Sequence, residues 1–141
     1  MIILDTDHFT ALKYDEGERG KGLRARMAAS RDQIFAISVI TVEEQLRGWL
    51  AEIAARLDTS RQVGAYKRLA DLVRFFSAWK ILDFDETAAE RFAVLRKSRL
   101  RAGTMDLKIA AIALSRKGLL LTANTKDFAL VPELRMENWL E

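Results

Sequence analysis

Four short, nearly unbroken apolar runs constrain the fold of this chain more than any other feature. Ile2-Ile3-Leu4, Ile34 to Val39, Ile81-Leu82 and Leu119-Leu120-Leu121 have strand length and no apolar–polar alternation, the pattern of strands buried on both faces of a parallel sheet. Between them lie longer segments of helical period: Leu23 to Ala29, Val42 to Leu57, Tyr66 to Phe76, Ala88 to Leu100 and Leu107 to Ser115. Short strands alternating with helices predict an α/β fold with a mostly parallel sheet and right-handed crossovers. Leu134-Arg135-Met136, shortly before Trp139-Leu140, adds a fifth strand at an edge. In the helix after Thr41, the residues Val42, Leu46, Trp49, Leu50, Ile53 and Leu57 form one apolar stripe, suited to the core or to a subunit contact. Gly17 to Gly22, with Glu18, Arg19 and Lys21 between, reads as an exposed loop. With 141 residues, half of them apolar, and no internal repeat or low-complexity tract, the chain is expected to form a single domain over residues 1–141.

Composition then removes whole classes of chemistry. There is no Cys and only one His, so disulfides, thiolate nucleophiles, Cys-based zinc sites and a His acid–base pair are all excluded. Polar chemistry must come from carboxylates. The opening Met-Ile-Ile-Leu-Asp5 has no basic leader and too short an apolar run for a signal peptide or a membrane span, so the expected address is cytoplasmic, with no membrane partner. A formal charge of +3, from 23 basic and 20 acidic residues, mildly favours a polyanionic partner without specifying one.

Four acids fall where such a fold places ligands. Asp5 ends the first strand, Glu44 lies one turn into the helix after the second, Asp106 opens a later helix, and Asp127 follows the run Leu119 to Thr122. In open parallel sheets, ligands bind beyond the carboxyl ends of the strands. A hard divalent ion such as Mg²⁺ takes oxygen ligands and needs few direct carboxylates. Held there, it lowers the pKa of a bound water and neutralises charge building on a phosphodiester. Each acid also has a purely structural explanation. Thr41-Val42-Glu43-Glu44 has the form of a capping box, and Asp106 after Thr104 and Asp127 after Asn124 suit the positive end of a helix. Asp5 is the exception, because an acid at the end of a buried strand is desolvated unless a charge meets it.

Several neighbours bear on the same site. Asp7 is a candidate outer ligand or the N-cap of the first helix, Thr6 a candidate donor to a carboxylate, and Asn124 an amide able to orient a water or an acid. Glu43 and Glu44 point about 100° apart on a helix, so only one faces the site. His8 reads as a surface or packing residue rather than a general base. Arg96, Lys97, Arg99 and Arg101 precede the Asp106 helix, either as a solvated face or as a hold on RNA phosphates. Trp49, Trp79, Phe75 and Phe76 have helical spacing better suited to packing than to stacking on bases.

The order of these motifs resembles the VapC toxins of the PIN-domain family. Ile2-Ile3-Leu4-Asp5-Thr6-Asp7 and Ile37-Ser38-Val39-Ile40-Thr41-Val42-Glu43-Glu44-Gln45-Leu46-Arg47-Gly48 are similar to its opening motifs. Gly103-Thr104-Met105-Asp106-Leu107-Lys108-Ile109-Ala110-Ala111 resembles the third, Leu121-Thr122-Ala123-Asn124-Thr125-Lys126-Asp127-Phe128 the fourth, and Val131-Pro132-Glu133-Leu134-Arg135-Met136-Glu137-Asn138-Trp139 the ending. The resemblance implies a PIN-like α/β/α sandwich around a five-stranded sheet, with Asp5, Glu44, Asp106 and Asp127 as the acidic quartet. Asp5, Glu44 and Asp106 would be the core metal ligands and Asp127 an outer or weaker one; Glu44 is preferred to Glu43 because it stands four residues before Gly48. It further implies Mg²⁺- or Mn²⁺-dependent endonucleolytic cleavage of RNA, homodimerisation and inhibition by a cognate antitoxin. Three rival readings are a structure-specific DNA nuclease on a PIN-like core, a catalytically idle binding domain on the same fold, and a phosphoreceiver module using Asp83 or Asp85. The last leaves Glu44, Asp106 and Asp127 unexplained.

Overall fold

A computed structural model describes all of residues 1–141. Five strands, β1 (Ile2–Leu4), β2 (Phe35–Ser38), β3 (Lys80–Leu82), β4 (Leu119–Leu121) and β5 (Arg135–Glu137), form one sheet in the order β3-β2-β1-β4-β5. Every pairing is parallel; the four apolar runs supply β1 to β4, and the expected edge strand is β5. Seven helices connect them: α1 (Thr6–Tyr14), α2 (Glu18–Ala29), α3 (Val39–Ala55), α4 (Thr59–Ser77), α5 (Glu86–Lys97), α6 (Thr104–Ser115) and α7 (Thr125–Phe128). Charged Lys80 and Arg135 sit exposed on the two edge strands, where they discourage pairing with further strands.

Alternate residues of the strands feed two separate cores, which makes the molecule three layers thick. Ile3, Ala36 and Leu120 pack on one face with Leu95 of α5 and Ile109 to Ala113 of α6. Ile2, Leu4, Ile37 and Leu121 pack on the other with Phe9 of α1, Leu23 of α2 and Leu72 and Phe76 of α4. The rings of Phe9 and Phe76 stack at 5.1 Å between centroids. Apolar on nearly every side, α6 is buried between the sheet and α5.

Two local expectations are corrected. Residues 18–22 are not a loop but the first turns of α2, with Gly17 at its N-cap. Gly20 is buried there because a Cβ at that position would lie 1.8 Å from the Asp15 carbonyl oxygen; the glycine is required by close approach between α2 and the end of α1. The apolar stripe of α3 is only partly covered: Ile53 is buried, Val42, Leu46 and Trp49 are partly so, and Leu50 and Leu57 are exposed, Leu57 lying beyond the helix end. The helix packs against β2, α6 and α4, and leaves Leu50 on its open side.

Candidate active site

Strand order reverses at β1 and β4, since the chain runs outward through β2 and β3 and returns to lay β4 on the far side of β1. Crevices at such reversals, outside the carboxyl ends of the strands, are where open α/β sheets hold ligands. Asp5 and Thr122 are the residues that directly follow those two strands.

Asp5 caps α1, accepting from the Thr6 backbone N–H at 2.7 Å, while its second oxygen accepts from the Thr122 hydroxyl at 2.8 Å. It is 6% exposed. Burial, reinforced by the charges of Asp7 and Asp106, raises its pKa to about 7 against the opposing hydrogen bonds from Thr122 and Thr6. No Lys or Arg forms an ion pair with Asp5, Glu44, Asp106 or Asp127. A buried carboxylate held in that way carries a charge that the protein's own cations leave uncompensated.

Glu44 lies in the second turn of α3 and accepts from the Thr6 hydroxyl at 2.8 Å. Thr6 spends its one proton on Glu44, so the Thr41 hydroxyl, 3.3 Å away, donates to Thr6. Glu43 points elsewhere and pairs with Arg47 at 2.5 Å. The capping-box reading is replaced: α3 begins at Val39, and Ser38 caps it by accepting from the Thr41 N–H at 3.2 Å. Strand β2 runs straight into the helix, which moves its start three residues earlier than the polar pattern suggests.

The remaining acids are joined by an amide. Asn124 donates from Nδ2 to Asp106 in the first turn of α6 and to Asp127 in α7, each at 3.2 Å. Burial and then the Asp127 charge raise the pKa of Asp106, opposed by the Asn124 hydrogen bond. Asn124 is itself placed by its backbone N–H, which donates to the Thr122 hydroxyl at 3.0 Å.

Asp7 is not the N-cap of α1, a position Asp5 holds. Instead, Asp7 accepts from the Ala123 N–H at 2.8 Å and meets His8 Nδ1 at 2.6 Å. Burial works against its charge, yet the bonds from His8 and Ala123 keep its pKa below the usual value. His8 is completely buried. The Trp139 N–H donates to its Nε2 at 3.0 Å, so Nδ1 carries the proton and donates to Asp7. Thus the C-terminal segment braces the first acidic turn, a link between residues 131 positions apart that no local sequence signal announces.

None of the other candidates bonds to these acids. Arg96, Lys97, Arg99 and Arg101 are exposed along the end of α5 and the link into α6, without ion pairs. Phe75 and Trp79 pack against the second core and Phe76 is buried in it. Asp85 caps α5 through the Ala88 N–H at 2.9 Å and lies 3.6 Å from Arg116, and Asp83 follows the edge strand β3, two strands away from β1.

Asp5, Glu44, Asp106 and Asp127 are thus linked through Thr6, Thr122 and Asn124 at a strand-order reversal, a carboxylate-lined α/β site. The chain belongs to the PIN-domain family, the PIN domain profile matching residues 2–134, and to its VapC branch. It is 32% identical over 139 residues to a ribonuclease VapC of Rickettsia bellii, covering 96% of this chain and 93% of the relative. Against a tRNA(fMet)-specific endonuclease VapC of Salmonella typhimurium it is 30% identical over 109 residues, covering 74% of this chain and 75% of the relative. The DNA-bound VapBC structure from Salmonella typhimurium superposes with a TM-score of 0.73 at 28% identity, covering 98% of this chain and 97% of that one. FitAcB from Neisseria gonorrhoeae gives 0.70 at 26% identity, over 99% and 98%. The expected fold and family are both found.

Proposed function

We propose that this protein is a divalent-metal-dependent endoribonuclease and the toxin of a toxin–antitoxin pair. The observation that carries the reading is the buried, cation-free Asp5 at the strand-order reversal, with Asp7 and Asp106 close enough to oppose its ionisation. The VapC relatives named as ribonucleases or endonucleases supply the reaction class. The VapBC complexes supply the kind of partner.

The residues fit a hard cation in chemistry: the site offers carboxylate, hydroxyl and amide oxygens and no soft donor. As they stand, no three acidic or histidine side chains share one coordination sphere, each acid being tied to a hydroxyl or amide neighbour. Asp5, Glu44 and Asp106 would hold the ion, with Asp127 beyond them. When bound, Mg²⁺ or Mn²⁺ would supply Lewis acidity and a nucleophilic water at neutral pH. The chain's own groups position the acids. Thr122 orients the outer oxygen of Asp5, the Thr41–Thr6 pair aims Glu44, and Asn124 keeps Asp106 and Asp127 in register. Asp7, held low by His8 and Ala123, keeps a full negative charge beside them.

No helix is long and apolar enough to cross a membrane, and the reading places the protein in the cytoplasm with its RNA substrate and antitoxin, as a homodimer. The test is cleavage of a mixed RNA pool by purified, antitoxin-free protein in Mg²⁺, Mn²⁺ or chelator, with Asp5→Asn alongside. Metal-dependent products from the wild type alone are expected. Intact RNA from folded wild-type protein in both metals would overturn the reading, and equal cleavage of DNA would favour the structure-specific DNA nuclease.

A further inference from the structure

The face of α1 that begins at Thr6 continues through Thr10 to Lys13 and Tyr14, positions four, seven and eight residues on and therefore on one side of the helix. That side forms a cleft of about 470 Å³ with Trp49 of α3 and with Arg68 and Asp71 of α4. At 1.5 Å of rise per residue, the cleft opens about 6 Å from Thr6 and ends about 12 Å away along α1. Its near end therefore lies about one helical turn from Thr6, whose hydroxyl donates to Glu44 and so ties α1 to α3 beside the acids.

The cleft combines cations with aromatic faces. The Arg68 guanidinium lies 5.4 Å from the Trp49 ring centroid, and the Lys13 ammonium lies between Tyr14 at 4.7 Å and Phe75 at 4.8 Å. Neither cation is ion-paired; Asp71, the acid in the cleft wall, is engaged by Arg74 at 3.2 Å. Tyr14 is 47% exposed and Arg68 is exposed, leaving a ring and a guanidinium plane open to a planar ligand. Acids that repel a polyanion need nearby positive charge to hold one, and single-stranded nucleic acid is gripped by cations for its phosphates and by aromatic or guanidinium planes for its bases. The two unpaired cations, Lys13 and Arg68, against the single acid Asp71, which Arg74 already engages, favour a polyanion over a protein helix here.

We infer that this cleft binds an unpaired nucleotide flanking the cut in the RNA strand, its base stacked on Tyr14 and the Arg68 plane and its phosphates met by Lys13 and Arg68. The inference rests on the ribonuclease reading. The experiment is steady-state cleavage of a labelled, mixed-sequence single-stranded RNA in Mg²⁺ by wild type, Tyr14→Ala, Tyr14→Phe, Arg68→Gln and the Lys13→Gln/Arg68→Gln pair, over a series of salt concentrations. Thermal melts confirm that these changes leave the fold intact. Tyr14→Ala and Arg68→Gln should each raise KM about tenfold with kcat little changed, as expected for lost ground-state binding, and Tyr14→Phe should match wild type. The double variant should flatten the slope of log kcat/KM against log salt by about 1.4. Wild-type KM and salt slope in Tyr14→Ala, Arg68→Gln and the pair would overturn the inference, leave the ribonuclease reading standing and assign the cleft to a protein segment instead. A wild type that cuts no RNA in any condition would overturn both.

Discussion

On the proposed reading, Asp5 sets activity against stability. Its folded pKa of about 7 lies above the ordinary 3.8, so between those values the native state binds more protons than the unfolded chain and stability falls as pH rises. The loss is complete once pH passes the folded value and amounts to a few kcal/mol, at about 1.4 kcal/mol per pKa unit. Asp5→Asn removes that charge while keeping a side-chain oxygen for the Thr6 N–H. The variant should therefore melt higher than wild type at pH 8 in chelator, with no such gain near pH 4, and be inactive at both. Equal melting temperatures at pH 8 would show that the buried charge costs nothing. Glu44→Gln should leave the melt close to wild type, because Ser38 rather than Glu44 caps α3, while cleavage collapses. His8→Phe keeps an aromatic ring, though a larger one in a fully buried place, and orphans the Trp139 N–H and one oxygen of Asp7. It should cost about 2–3 kcal/mol in chemical denaturation and speed exchange of the Trp139 amide; unchanged protection would show that the bond is not formed in solution.

At the scale of elements, α2 separates two uses of glycine within one helix. Gly20→Ala drives a methyl into the Asp15 carbonyl, whereas Gly22 has no atom within 4 Å of a Cβ position. The first substitution should destabilise by about 2 kcal/mol or more through overpacking against backbone. The second should stabilise by about 0.5–1 kcal/mol through helix propensity. A denaturant titration of the pair checks both signs, and a neutral Gly20→Ala would show that α2 shifts freely on α1. The same helix shows why local reading misplaced it: three glycines and alternating charges look like a loop, and only contact with the end of α1 makes Gly20 an asset. In α3, similarly, the polar Thr41-Val42-Glu43-Glu44 pattern suggested a helix start, but the backbone turns at Ser38 because β2 is pinned in the sheet up to that residue.

For the whole molecule, metal binding and folding should be linked. An ion that binds the folded acids and not the unfolded chain raises stability by mass action, and it displaces the proton that Asp5 otherwise prefers. Millimolar Mn²⁺ should thus raise the melting temperature more at pH 8 than at pH 5, and Asp5→Asn should lose most of that rise. A shift of equal size at both values, or one kept in Asp5→Asn, would place the ion elsewhere. The five strands, their parallel pairing and the order of the acidic motifs were legible along the chain, because strand length, unbroken apolar runs and helical period are local properties. Residue sequence also limits the chemistry to carboxylates by supplying no Cys and one His. The tertiary structure alone decided what those residues touch: that Glu44 faces Thr6 while Glu43 turns to Arg47, that Asn124 joins Asp106 to Asp127, and that buried His8 ties the C-terminal segment to Asp7. These are contacts between distant segments, fixed by sheet order and layer packing, and no local pattern encodes them.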